Sequence, residues 1–191
     1  MRILWDFDGT LFDTYPAFTK VMKQLVSSAI SEEEILRELK VSFHHATEVF
    51  QLTEEQITAF RKKDNALSPD DKPPFRGLKT ILEKAELNVI MTHKPRAEVI
   101  AILKHFDMEH YFADLVAGDD GFPRKPDPAS YHHLNDQYHL DLAVGDRLLD
   151  IIPAKEVGMK TCLFQNDSPG ADFYVTNYYD LNEMLWPSNH S

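Results

Sequence analysis

Asp6 and Asp8 stand one residue apart in Asp6-Phe7-Asp8-Gly9-Thr10. Two carboxylates at that spacing can point the same way where a chain leaves a strand and twists, and Gly9 permits the turn. One aspartate can serve as a nucleophile, forming an acyl-phosphate that splits one difficult displacement into two easier ones. The other can protonate the leaving oxygen and then take a proton from the attacking water. The plainer reading of the same residues is a strand end followed by acidic turn residues. A second pair, Asp146 and Asp150, lies in Gly145-Asp146-Arg147-Leu148-Leu149-Asp150. There the plainer reading is a helix cap and a solvated first-turn acid. Gathered around one crevice, these acids need cations, because two unit charges ~4 Å apart repel by about 4 kcal/mol at an effective dielectric near 20. Oxygen-only ligands, with room for water and phosphate, point to Mg²⁺.

Two further residues fit the same chemistry. Lys125, between prolines in Arg124-Lys125-Pro126-Asp127-Pro128, can offer a fixed positive charge to phosphoryl oxygens, where transfer depends on positioning and charge stabilisation. Taken singly, it reads as a surface lysine. Thr92 can donate its hydroxyl to a phosphate oxygen; taken singly, it reads as a cap for the helix that begins near Pro95. His93 beside it either touches substrate or bonds to backbone at the start of that helix. His44 and His45 lie in a helical stretch, and no histidines show zinc-ligand spacing.

The elements that must carry these residues follow from periodicity. Residues 2–6 read as a short buried strand ending in a carboxylate. Residues 14–76 read as helices only, with apolar positions at helical spacing, such as Phe18, Val21, Met22 and Leu25. Capping boxes are expected at Ser31 with Glu34 and at Thr53 with Gln56, and Ser42 can open a further helix. Pro69, Pro73 and Pro74 mark a linker. Beyond Gly77 the pattern alternates. Strands are expected over 87–91, 112–117, 140–144, 161–164 and 172–175, and helices over 78–85, 95–106, 128–138 and 149–157. Such alternation predicts a doubly wound α/β parallel sheet, residues 1–13 with 77–191, interrupted after its first strand by the helical insertion 14–76. Ligands of such sheets bind at the carboxyl ends of the strands, which is where Asp6, Asp8, Thr92 and Asp146 fall.

Carboxylate pair, hydroxyl, lysine, carboxylate pair: in that order the chain resembles the haloacid dehalogenase-like hydrolase superfamily. The first motif is similar to Asp6-Phe7-Asp8-Gly9-Thr10 with Leu11-Phe12-Asp13, the second to Thr92, the third to Lys125, and the fourth to Gly145-Asp146 with Asp150. The insertion resembles the small helical cap of phosphoglycolate phosphatase-like and β-phosphoglucomutase-like members. The resemblance implies a Rossmann-like core and a magnesium-dependent phosphatase with Asp6 as nucleophile and Asp8 as general acid/base. It implies Mg²⁺ held by Asp6, the Asp8 main-chain carbonyl and Asp146, with Asp150 in support, phosphoryl contacts from Thr92 and Lys125, and a flexible turn at Gly9 and Thr10; His93 is a further phosphate-binding candidate from its place beside Thr92. His93 departs from the asparagine common after the second-motif hydroxyl, and Arg147 from a small hydroxyl residue. Phosphomutase activity, or phospholigand binding without catalysis, are the alternatives. Dehalogenation and phosphonate cleavage are disfavoured by the acid at Asp8.

The bulk composition agrees with a globular enzyme of small molecules. The chain has 191 residues, is 43% hydrophobic and 27% charged, and carries a formal net charge of −11. That balance disfavours nucleic acid and anionic membrane as partners; the small cap that the resemblance implies favours a small phosphorylated metabolite. Asp6 and Asp8 come too early for the apolar region of a signal peptide, no apolar run reaches the ~20 residues of a membrane span, and the lone Cys162 reads as a buried strand residue. A cytoplasmic setting is expected.

Overall fold

The computed structural model describes residues 1–187. Its elements in chain order are β1 (Arg2–Trp5), α1 (Tyr15–Lys23), α2 (Glu32–Val41), α3 (Phe43–Val49), α4 (Glu54–Asn65), α5 (Leu78–Lys84), β2 (Leu87–Met91), α6 (Arg96–His105), β3 (Asp114–Val116), α7 (Ala129–Tyr138), β4 (Leu142–Gly145), α8 (Leu148–Glu156), β5 (Lys160–Phe164), β6 (Phe173–Val175) and α9 (Tyr178–Leu185). The chain divides into two compact units, 1–12 with 74–191, and 13–73. Pro74 and Phe75 belong to the first because they pair with Phe12 and Leu11: Pro74 bridges to Phe12, and the Phe75 N–H donates to the Leu11 carbonyl at 3.1 Å. No helix among the described residues is long and apolar enough to cross a membrane.

The first unit is an α/β layer structure. Its six strands form one parallel sheet in the order β3-β2-β1-β4-β5-β6. Parallel strands covered on both faces should be apolar throughout, and β1 meets that demand with Ile3, Leu4 and Trp5 at 0%, 1% and 0% exposure. Side chains alternate between faces. Ile3, Trp5, Ile90, Val144 and Cys162 enter one cluster with residues of α5, α6 and α9, whereas Leu4, Val89, Val116 and Ala143 enter another with Tyr131 and Leu134 of α7 and Ala154 of α8. Strand order reverses at β1, which has β2 on one side and β4 on the other. The crevice of such a sheet opens at that switch point, beyond the carboxyl ends of β1 and β4.

Two buried polar side chains of this unit, Trp5 and Asn88, are paired. Trp5 Nε1–H donates to Asn88 Oδ1 at 2.9 Å, and Asn88 Nδ2–H to the Leu82 carbonyl at 3.0 Å. The strand expected over 112–117 is confined to Asp114–Val116. A 3-10 turn over Glu109–Tyr111 precedes it, and the Ala117 N–H is taken by the Asp120 carboxylate at 2.8 Å. Likewise β6 starts at Phe173, because the Asp172 carboxylate instead accepts the Thr161 N–H at 2.9 Å. Helix α9 lies beyond the elements expected from sequence. Asn177 caps it by accepting the Asp180 N–H at 3.0 Å, and Tyr178 and Leu181 are fully buried.

The second unit consists of α1 to α4 around Tyr15, Val21, Met22, Ile35, Leu39, Ala46 and Phe60. Both expected capping boxes form, and Ser42 caps α3 through the His45 N–H. A buried ion pair joins Lys72 Nζ to Asp64 Oδ1 at 2.6 Å, with the same ammonium 5.7 Å from the Phe18 ring centre.

Candidate active site

Asp6 is the first residue after β1, and its N–H continues the ladder to the Val144 carbonyl of β4 at 2.9 Å. That bond sets the Asp6 carboxylate at the switch point. The chain then curls around Phe7, whose carbonyl accepts from the N–H groups of Leu11 (3.0 Å) and Phe12 (3.1 Å). Gly9 takes φ +75°, a left-handed value that side-chain-bearing residues resist. Thr10 is fully buried, its hydroxyl 3.4 Å from Asp6 Oδ2, and its carbonyl accepts from the Tyr178 hydroxyl at 2.6 Å. Helix α9 thus steadies the turn that carries Asp8.

Lys125 is not a surface lysine. Its side chain is 0% exposed, and Nζ donates to Asp6 Oδ1 and Asp150 Oδ1, both at 2.7 Å. Burial alone would lower the affinity of this amine for its proton, but Asp150 and Asp6 together push its pKa well above the ordinary lysine value. Asp150 is not a solvated acid either. It sits in the first turn of α8, 1% exposed, and its second oxygen accepts the Arg147 N–H at 3.1 Å. Gly145 makes this possible: a Cβ there would lie 2.6 Å from Asp150 Cγ and Oδ2.

Asp146 follows β4 and is 6% exposed, with Arg147 Nε 3.5 Å from Oδ1 and its own main-chain carbonyl held by Asn166 Nδ2 at 2.7 Å. Carboxylate oxygens of Asp6, Asp146 and Asp150 all lie within 4.8 Å of one another. The set is buried and all-oxygen, three carboxylates against Lys125 and Arg147, a donor chemistry that fits a hard divalent cation. Asp8 does not add its side chain to this group. It lies against Lys94, whose Nζ is 3.4 Å from Asp8 Oδ1 and 3.7 Å from Glu98.

Thr92 leaves β2 with its N–H on the Val116 carbonyl (2.9 Å), and its hydroxyl accepts the Lys94 N–H at 3.1 Å. It therefore closes a hydroxyl turn and is not the cap of α6, whose N-terminal position is Pro95 with no side-chain bond. His93 accepts the Lys125 N–H on Nε2 at 2.9 Å. The structure thus joins Asp6, Thr10, Lys125, Asp146 and Asp150 directly, and ties His93 to Lys125. Sequence reasoning passed over Lys94; its signal was a lysine inside the same Thr92-His93-Lys94-Pro95 turn.

A model of a family described as haloacid dehalogenase-like hydrolase matches residues 3–164. A phosphoglycolate phosphatase of Vibrio cholerae is 27% identical over 193 residues, spanning 82% of this chain and 80% of that protein. Pyrophosphatase PpaX of Halalkalibacterium halodurans is 26% identical over 192 residues, spanning 90% of this chain and 86% of that protein. A crystal structure of a hydrolase from Streptococcus pneumoniae superimposes with a TM-score of 0.68 at 25% identity, covering 96% of this chain and 97% of the other.

Proposed function

The chain belongs to the haloacid dehalogenase-like hydrolase family, and we propose that this phosphatase hydrolyses a small phosphorylated metabolite with Mg²⁺ through an aspartyl-phosphate on Asp6. The observation that carries the reading is the buried Lys125 ammonium bridging Asp6 and Asp150 at 2.7 Å each, with Asp146 in the same cluster. A lysine placed there fixes one Asp6 oxygen and leaves the carboxylate at the mouth of the switch-point crevice.

In the first step an Asp6 oxygen attacks phosphorus and the ester oxygen leaves, taking a proton from Asp8. In the second, Asp8 takes a proton from the water that attacks the aspartyl-phosphate, and inorganic phosphate departs. Thr92, His93 and Lys125 supply the phosphoryl-binding side, His93 by way of Lys125. Mg²⁺, held by Asp6, the Asp8 main-chain carbonyl and Asp146, would neutralise charge on the transferring phosphoryl oxygens. The turn at Gly9 and Thr10 carries Asp8 and is braced by the Tyr178 hydroxyl on the Thr10 carbonyl, and the helical unit serves as the cap that selects the substrate. The names of the relatives, a phosphoglycolate phosphatase and a pyrophosphatase, support a small anionic substrate.

Hydrolysis of p-nitrophenyl phosphate tests this. Turnover with Mg²⁺ is expected, with loss on adding EDTA and a fall of at least about 1,000-fold in Asp6→Asn, as for removal of a covalent nucleophile. Wild-type rates in Asp6→Asn would refute the nucleophile assignment.

A further inference from the structure

His93 stands where an asparagine is common in the family this chain resembles, and its ring is occupied by something other than a ligand. Its Nε2 is 2.9 Å from the main-chain nitrogen of Lys125. An amide nitrogen can only donate, so Nε2 carries the lone pair and the ring proton sits on Nδ1. Burial, followed by the positive charges of Lys125, Arg124 and Arg147, holds the His93 pKa down at about 3, against the opposing pull of Asp150. The ring is therefore a neutral acceptor, fixed in one tautomer, across the neutral range.

The turn that holds this ring is itself braced. The Thr92 N–H meets the Val116 carbonyl and the Gly118 N–H meets the Lys94 carbonyl, each at 2.9 Å. A Cβ on Gly118 would lie 2.7 Å from the His93 carbonyl carbon, so the loop after β3 presses directly on the turn. Arg96 locks that loop from the other side. Its N–H donates to Asp119 Oδ1 at 2.8 Å, and its guanidinium to Asp120 at 2.6 and 3.0 Å. Through the His93 ring this bracing reaches Lys125, 32 residues further along the chain.

We propose that His93 is a positioning residue, whose imidazole anchors the Lys125 main chain and so holds the Lys125 ammonium between Asp6 and Asp150. The inference rests on the proposed catalytic use of Asp6 and Lys125, and it makes a distinction that a purely local role does not. An asparagine oxygen ends about where Nδ1 stands, one bond short of the Lys125 N–H, whereas a glutamine oxygen ends about where Nε2 stands. Glutamine should replace this histidine, and the asparagine common elsewhere should not.

The test compares His93→Gln, His93→Asn and His93→Ala with wild type, using p-nitrophenyl phosphate and Mg²⁺. Misplacing a catalytic group by ~1 Å costs on the order of 100-fold. A fall in kcat of at least about 10-fold is expected in the asparagine and alanine variants, and a value within about threefold of wild type in the glutamine variant. Wild-type kcat in His93→Asn, or a fall in His93→Gln as deep as in His93→Ala, would overturn the proposal. Two readouts do not depend on turnover. Hydrogen exchange at the Lys125 amide should be slow in wild type and His93→Gln and fast in the other two. In wild-type protein, ¹⁵N spectra of the His93 ring should show the Nδ1–H tautomer from pH 6 to 8; an Nε2–H ring would overturn the anchor even if every variant misfolded. Should wild type lack Mg²⁺-dependent turnover while exchange and tautomer come out as expected, the phosphatase reading fails and the anchor stands.

Discussion

Replacing Gly145 with alanine would press a methyl group into Asp150 without altering any charged residue. The new Cβ would lie against Asp150 Cβ, which is fixed to the α8 backbone, and 2.6 Å from its Cγ and Oδ2, where carbon atoms rest at about 3.5–4.0 Å. Asp150 must retreat by roughly 1 Å, and both of its oxygens are committed. Oδ1 accepts from Lys125 Nζ at 2.7 Å and Oδ2 from the Arg147 N–H at 3.1 Å. Overpacking of this kind costs about 1–3 kcal/mol. Weakening the bond to the ammonium adds to that, since hydrogen bonds to charged groups contribute about 1.5–3 kcal/mol. Lys125 would keep one carboxylate anchor, Asp6, and lose the second.

A displacement of ~1 Å in a positioning contact lowers rate by on the order of 100-fold, so Gly145→Ala should reduce kcat on p-nitrophenyl phosphate by about that factor. Its melting temperature should fall by roughly 5–24 °C, from a combined cost of about 2.5–6 kcal/mol at about 2–4 °C per kcal/mol for this chain length. Activity and circular-dichroism melting, measured on one preparation, separate the two effects. If folded Gly145→Ala turns over within threefold of wild type, the placement of Asp150 does not govern Lys125. The reasoning fails equally if the loss vanishes on cooling, because activity would then be following only the folded fraction.

Lys72→Met removes the ammonium that meets Asp64 at 2.6 Å in the interior of the helical unit. Breaking one side of a buried pair costs about 3–5 kcal/mol, to be read as a lowered urea midpoint; an unchanged midpoint would show that the pair contributes nothing. The pH dependence of stability should carry a contribution from His93. Its folded pKa of about 3 lies below the ordinary 6.5, so between those values the unfolded chain binds a proton that the folded chain does not. Stability is then complete above pH 6.5 and is lost as pH falls towards 3. The slope from this one group is at most ~1.4 kcal/mol per pH unit, and because the ring is only partly buried, screening narrows the pH window over which it applies. Urea unfolding of wild type and His93→Gln at pH 7 and 5 should show the steeper loss in wild type, and equal losses would contradict it.

What local pattern reveals here is where chain segments end. Asp6, Thr92 and Asp146 could be placed at strand ends because each terminates an apolar run, and the strand order then brings the ends of β1 and β4 together. What it does not reveal is partnership across sequence distance. Lys125 taken alone reads as exposed because a lone ammonium is costly to bury. It is buried because Asp6 and Asp150, 119 and 25 residues away, compensate it. Lys94 went unnoticed for the same reason, since its carboxylate partner Asp8 stands in a different strand-end turn. The ring of His93 could not be assigned from its neighbours in sequence, because its acceptor role is set by an amide 32 residues away. Helix α9 is different. Its signal was local: Asn177 followed three residues later by Asp180, with Tyr178, Leu181 and Leu185 at helical spacing. Three residues of β6 and a polar turn were enough to obscure it.

The cluster's charge bears directly on how it can accept phosphate. Before Asp8 takes up the proton that it later gives to the leaving oxygen, Asp6, Asp8, Asp146 and Asp150 count as four negative charges; Lys94, Lys125 and Arg147, each within 4.0 Å of one of these acids, carry three positive ones. The difference, 4 − 3, leaves one negative charge in excess for these seven groups; Glu98, which meets Lys94 at 3.7 Å, lies outside the count. A phosphate dianion added to that set alone would bring the total to three negative charges in a largely buried crevice, where Coulomb terms are less screened than at the surface. A divalent cation turns the excess to one positive charge, the complex with a dianion then returns to one negative charge, and the proton that Asp8 holds as general acid brings it to neutrality. The three bases are too few to take a phosphate unaided, yet numerous enough that one divalent cation completes the balance. On the proposed reading, this is why a chain with a net charge of −11 is suited to an anionic substrate: the field that matters is the local one, and it changes sign with the metal.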